Sequence, residues 1–168
     1  NNTKIRRVLY FPAGIYLISS ELAIPSYATL IGDGIDSTFI KQINSSARSA
    51  LTFQDSLGQI SPLIGTSSAT IPQFIKISSL SLLNNTDNDV VYIDSANNVV
   101  FDTVNFTGMQ TTPTTAGTSK GLVRFSSITT ASFNTVFHAC SFNQASYGII
   151  VNDNSYGITV SNSYFNII

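Results

Sequence analysis

The chain is most informative in what it has little of. It has no tryptophan, one cysteine (Cys140) and one histidine (His138) in 168 residues. A lone cysteine excludes an intrachain disulfide. With no CxxC pair and no His/Cys cluster, a zinc site of the usual composition is excluded within one chain, and neither a metal nor a cofactor is expected. Charge is scarce: Asp, Glu, Lys and Arg make up 10%, against roughly 25% in ordinary globular domains. A helical bundle, whose outer faces need Glu and Lys, does not fit that composition. The net charge of −1 gives no reason to expect a nucleic-acid partner. No apolar run approaches the roughly 20 residues of a membrane span, so no membrane insertion is expected. No signal-peptide pattern opens the chain. Because Asn1 is not an initiator residue, the expectation is a processed or excised piece of a longer protein.

Hydrophobic residues still make up 43%, enough for one domain with a core. They do not recur at i, i+3, i+4 and i+7. They fall in short β-rich runs, among them residues 8–11, 15–18, 28–31, 75–77, 90–93, 99–101, 122–125, 149–151 and 158–160, separated by Asn, Asp, Ser and Gly. That pattern leaves an antiparallel sandwich or a solenoid.

Internal repetition decides between them. Ile77-Ser78-Ser79-Leu80-Ser81-Leu82 aligns with Phe101-Asp102-Thr103-Val104-Asn105-Phe106, with Phe137-His138-Ala139-Cys140-Ser141-Phe142 and with Val160-Ser161-Asn162-Ser163-Tyr164-Phe165. The steps between first positions are 24, 36 and 23 residues. The long step contains residues 107–121, rich in Thr, Gly and Pro, which read as a loop inserted into one unit. A further strand recurs once per unit at residues 90–93, 122–125 and 149–151. No unit can bury its apolar residues alone, so the units must stack. The expectation is an all-β, single-chain, right-handed parallel β-helix of about six coils, one domain over residues 1–168. Equivalent residues then form ladders, Phe101 with Phe137 and Leu82 with Phe106, Phe142 and Phe165. The sharp bend falls at the polar pair after the first apolar residue, where Asn162 tolerates a left-handed backbone.

An independent signal lies in the first forty residues. Val8-Leu9-Tyr10-Phe11-Pro12-Ala13-Gly14-Ile15-Tyr16-Leu17-Ile18, followed by Thr29-Leu30-Ile31-Gly32-Asp33-Gly34 and Ser37-Thr38-Phe39-Ile40-Lys41, resembles the opening coils of the pectate-lyase-like right-handed β-helix superfamily. That superfamily includes pectate lyases, polygalacturonases and bacteriophage tailspikes or tail fibres. The low charge and the Ser, Thr and Asn surface look most like the phage appendages. The resemblance therefore implies a structural, receptor-binding β-helix: a homotrimer on a virion tail appendage, or otherwise extracellular, contacting host-surface polysaccharide. A polysaccharide lyase or glycoside hydrolase, and a bacterial surface adhesin fragment, are the alternatives.

Candidate chemistry is sparse. Glycosidases use two carboxylates roughly 5–9.5 Å apart. Asp87 and Asp89, flanking Asn88, would share a face of an extended segment, although a solvated Asn/Asp loop is the plainer reading. Asp102 and His138 hold the same repeat position in successive units, as an acid/base pair or as an ordinary ladder contact. Neither Ser78 nor Ser161 offers them a third partner. Arg124 alternates with Val123 and Phe125 and should face outward into solvent. Cys140 takes the position held by Leu80 and Val104 and should be a small buried hydrophobe. Gly32-Asp33-Gly34 is not a phosphate loop, because no helix pattern follows it. For sugar contact, whose apolar C–H faces suit aromatic rings, the candidates are Tyr92, Tyr147 and Tyr156, with Tyr27 and Tyr164 behind them.

Overall fold

The computed structural model describes residues 6–44, 71–84, 88–93, 95–108, 121–126, 131–152 and 154–167, and the backbone of 51–53. Among these residues there is no helix, and every strand pairing is parallel. The chain winds through three-sided coils. β1 (Arg7–Phe11), β2 (Gly14–Ile18) and β3 (Leu22–Ile24) form the first, and β4 (Ala28–Gly32), β5 (Thr38–Gln42) and β6 (Leu51–Phe53) the second. In the third and fourth coils the first two sides merge into the long bent strands β7 (Gln73–Asn84) and β9 (Asn97–Thr107), followed by β8 (Val91–Ile93) and β10 (Gly121–Phe125). β11 (Phe133–His138), β12 (Ser141–Asn143) and β13 (Tyr147–Val151) make the fifth; β14 (Tyr156–Ser161) and β15 (Tyr164–Asn166) the last. Stacked, the first and second sides form one bent sheet, with β1-β4-β7-β9-β11-β14 along its main path. The third sides form the other sheet, in the order β3-β6-β8-β10-β13. This is the solenoid that the repeat implies.

In the last four coils the bend between the first two sides needs only one residue, in left-handed backbone. Ser79, Thr103, Ala139 and Asn162 have φ of 56°, 57°, 51° and 49°, at the third position of each aligned hexapeptide. Left-handed backbone turns the chain sharply without breaking the ladders on either side. Register then brings equivalent residues together: Ile77 with Phe101, Phe101 with Phe137, Leu82 with Phe106, Phe106 with Phe142 and Phe142 with Phe165. The rings stack nearly parallel, with centroids 5.0 Å apart for Phe101–Phe137, 5.0 Å for Phe106–Phe142 and 4.5 Å for Phe142–Phe165. Those separations match the roughly 4.8 Å spacing of paired strands. The core is a narrow column of Ile, Leu, Val and Phe along the axis, and Cys140 sits in it as expected. Burial pushes the Cys140 thiol up to about 11, so it stays protonated and unreactive at neutral pH.

The opening motif has its own latch. The Tyr10 hydroxyl and the Ala13 N–H, at 2.8 Å in the latter case, both donate to the Asp33 carboxylate. The Asp33 N–H donates to Thr38 Oγ1 at 2.9 Å, and the Thr38 hydroxyl donates to the Phe11 carbonyl at 3.1 Å. The bond to Asp33 raises the pKa of Tyr10 above its ordinary value. Gly32 is required for close approach, because a Cβ there would collide with the Ser79 carbonyl oxygen. The latch thus ties the first coil to the second, and Gly32 lets the second coil meet the third.

Several inward positions, Thr38, Gln42, Asn84 and Thr135 among them, carry polar side chains in place of apolar ones. Thr135 is fully buried and pairs with Val99 and Ile158. Among the described residues its hydroxyl has no hydrogen-bond partner, which costs free energy in an apolar core. Thr135→Val keeps the shape and removes the unsatisfied hydroxyl. The expected result is a gain of about 1 kcal/mol in unfolding free energy by urea denaturation; a loss of similar size would mean the hydroxyl is satisfied in solution.

Candidate functional site

Two outward regions bring chemistry-bearing side chains together. The first lies on the outer face of the first strands. Ser78, Asp102, His138 and Ser161 occupy one level of the ladder in successive coils, so Asp102 and His138 are neighbours, as the repeat predicts. Their side chains bond elsewhere. Asp102 Oδ2 holds the Lys76 ammonium at 3.0 Å, and His138 Nδ1 lies 3.0 Å from Ser161 Oγ. Among the described residues no hydrogen bond joins Asp102 to His138. Ser161 therefore is a partner of His138, contrary to the sequence reading. The Lys76 and Asp102 side chains are 46% and 35% exposed, so water screens this pair.

The second region lies on the other sheet. Val91, Ile93, Val123 and Phe125 point into the core and are fully buried. The alternate residues point outward, and Tyr92, Arg124 and Ile150 stand in register. Arg124 is not a solvated surface cation: its side chain is 14% exposed, and its Nε donates to Asp89 Oδ2 at 2.8 Å. Nor does Asp89 lie in a solvated loop, since its side chain is 4% exposed. Its other oxygen accepts the Gly121 N–H at 2.8 Å, and its carbonyl accepts from Asn84 Nδ2 at 2.7 Å. The reason is register. Val91 pairs with Val123, which puts Asp89 level with Gly121 and beside the strand that carries Arg124. Asp87 lies outside the described residues. Two charges withdrawn from water survive only when paired and fully hydrogen-bonded, and Asp89 meets that condition.

The tyrosines divide. Tyr92 is half-buried, and its hydroxyl donates to the Ser126 carbonyl at 3.3 Å. Tyr147 is half-buried at the start of β13, opposite Gly121. Tyr156 is exposed and stacks on Phe133. Tyr164 is exposed in the last coil, and Tyr27 stacks on Phe74.

Chain connectivity favours the second region. The long connections, residues 54–72, 108–120 and 126–132, all lead onto or off the strands of this sheet, whereas in the last four coils a single left-handed residue joins the other two sides. Loops on a rigid scaffold are where binding and catalytic residues gather. Asp102 belongs to the first sheet, and Asp89 leads into a strand of the second, where its partner is Arg124 and not a second carboxylate. Among the described residues no three His, Cys, Asp or Glu side chains are grouped to hold a metal ion.

The family model described as rhamnogalacturonase A/epimerase, pectate lyase-like, matches residues 1–167. The chain belongs to this family. Comparison with curated protein sequences finds no significant match. Among solved structures, this pectate-lyase-like chain is similar to a pectin methylesterase in complex with a hexasaccharide, with TM-score 0.55, 16% identity, and coverage of 98% of this chain and 58% of that one. It is similar to pectin methylesterase PemA from Erwinia chrysanthemi, with TM-score 0.54, 15% identity, and coverage of 98% and 59%. A protein named as a glycosyl hydrolase from Parabacteroides merdae matches with TM-score 0.53, 13% identity, and coverage of 94% and 82%. At these identities the likeness is one of fold. The chain spans less than two thirds of the length of the pectin methylesterases. The family and these structures establish the parallel β-helix and its pectate-lyase-like character, and carry nothing specific to a phage tail.

The two regions differ in what they contribute to stability. Arg124→Ala strands a buried carboxylate and should cost about 3–5 kcal/mol. Lys76→Ala should cost no more than about 1 kcal/mol. Urea denaturation of both variants checks this, and equal losses would contradict the assigned burial.

Proposed function

We propose that this chain is the saccharide-engaging body of a polysaccharide-active β-helix, of the lyase or glycoside-hydrolase class, with its glycan lying across the outer face of the second sheet over Tyr92 and Arg124. One observation carries the reading: the withdrawn Asp89–Arg124 pair sits on the sheet to which the long connections lead. The guanidinium held by Asp89 places a fixed positive charge at this face, which favours an acidic sugar. The Tyr92 ring supplies a face for the apolar side of a pyranose. Family membership and the fold shared with pectin-acting proteins support an acidic polysaccharide over a neutral one. In this reading Asp89 is a positioning residue, and Asp102 and His138 serve as solvated ladder contacts.

The test is release of reducing ends and of unsaturated uronate from polygalacturonate and from neutral glucans, with binding measured alongside. The expected result is engagement of the acidic polymer that Tyr92→Ala and Arg124→Lys each reduce about tenfold or more, a loss of roughly 1.4 kcal/mol or more of interaction. His138→Ala should leave it unchanged. Full activity in both second-sheet variants, or its loss in His138→Ala, would move the site to the other face.

A second reading keeps the scaffold as a receptor-binding shaft of a phage-like tail appendage or a surface adhesin, extracellular and homotrimeric. The exposed apolar side chains Val8, Ile15 and Leu17 on the first coil favour it, because such patches commonly pack against a partner. Light scattering separates the two: a stable trimer without glycan turnover supports the shaft, a monomer with turnover the enzyme.

A further inference from the structure

A second row of left-handed residues runs along the edge where the first strands begin. Tyr27, Phe74, Asn98, Asn134 and Gly157 have φ of 63°, 56°, 52°, 55° and 68°. Flanking registers put them level with one another in five successive coils. Asn and Gly are the residues that tolerate this backbone, and three coils use them. The other two use aromatic residues, for which left-handed backbone is a real conformational cost. Phe74 is, moreover, 46% exposed, so burial of the ring does not account for its placement. Strained residues that persist at the surface are candidates for function.

The surroundings of the row say what it would take. Tyr27 and Phe74 stack with centroids 5.5 Å apart at 20°. Two to three coils further along, Phe133 and Tyr156 stack at 5.7 Å and 10°, with Tyr156 62% exposed. The carboxamide of Asn98 lies in the coil between the ring pairs, joined at 3.4 Å to that of Asn134, which follows Phe133 in the next coil. Phe74 and Tyr156 are thus three coils apart, about 14 Å at the spacing of paired strands. None of these side chains is charged. Ring faces at both ends with amides between them match a saccharide strand, whose apolar C–H faces stack on rings while its hydroxyls exchange hydrogen bonds with amides.

We infer that this row is a second saccharide-binding surface, separate from the Tyr92–Arg124 face. It takes a glycan strand running along the helix axis, by stacking and amide contacts with no requirement for charge on the sugar. The inference rests on the reading that the protein engages glycans, but it places contact on a different edge by a different chemistry. A surface of this kind would hold a long polymer beside the first face and contribute nothing to turnover of short substrates.

Isothermal titration of the whole chain with cellohexaose and with hexagalacturonate, at low and high salt, tests it. Wild type should bind cellohexaose with an affinity that changes less than about twofold between 50 and 500 mM NaCl, since no charge takes part. Phe74→Asn, which installs the residue used at Asn98 and Asn134, should weaken that binding about tenfold without lowering the melting temperature, because it relieves the left-handed strain. Tyr156→Ala, at the exposed end of the row, should weaken it at least about threefold, and decides the question if Phe74→Asn does not fold. Binding of cellohexaose that both variants retain overturns this surface and leaves the acidic-glycan reading standing. Failure of wild type to bind either hexasaccharide overturns both.

Discussion

Everything in this molecule depends on one constraint: a coil of a parallel β-helix cannot bury its own apolar residues, so each inward residue must meet its counterpart one strand spacing above or below. Phe101 on Phe137 and Phe106 on Phe142 on Phe165 satisfy it with rings nearly parallel at the strand spacing. The left-handed residues Ser79, Thr103, Ala139 and Asn162 keep the two sides of each coil in phase, so that a ladder on one side does not slip against the ladder on the next. Each coil therefore constrains its neighbours directly, and stability accumulates through nearest-neighbour contacts.

The same constraint separates scaffold from function. Inward positions are set by packing, and bends by backbone geometry. Chemistry is left to outward positions and to the connections. There the molecule uses charge sparingly, and its two described ion pairs differ in kind. Lys76–Asp102 lies in solvent, while Asp89–Arg124 is withdrawn from it, with Gly121 and Asn84 completing the hydrogen bonds of Asp89. The withdrawn, oriented guanidinium beside a tyrosine is the feature on which the proposed glycan contact at the second sheet rests.

Much of the fold was legible in the residue order, because a parallel β-helix repeats the same inward pattern once per coil. The four aligned hexapeptides carried the ladders, the period and the bend at Asn162. The opening motif was legible as well, though its reason, the Asp33 latch, was not. The site was less so. Alternation correctly turned Arg124 outward but could not show that Asp89, level with Gly121 in the neighbouring coil, would reach it. Alignment of residues 90–93 with 122–125 held that signal. The contact of His138 with Ser161 was not legible, because pairing depends on rotamers, which register does not fix. Tyr27 and Phe74 defy residue preference, so a reading based on preference could not place them in left-handed backbone.

The most direct test of the stacking account compares adjacent positions on one strand, Phe106 facing the core and Thr107 facing out. By urea denaturation Phe106→Ala should lose about 3–5 kcal/mol, the cost of an emptied aromatic site in a packed core. Thr107→Ala should stay within about 0.5 kcal/mol. Comparable losses at the two positions would contradict the claim that the inward ladder holds the coils together.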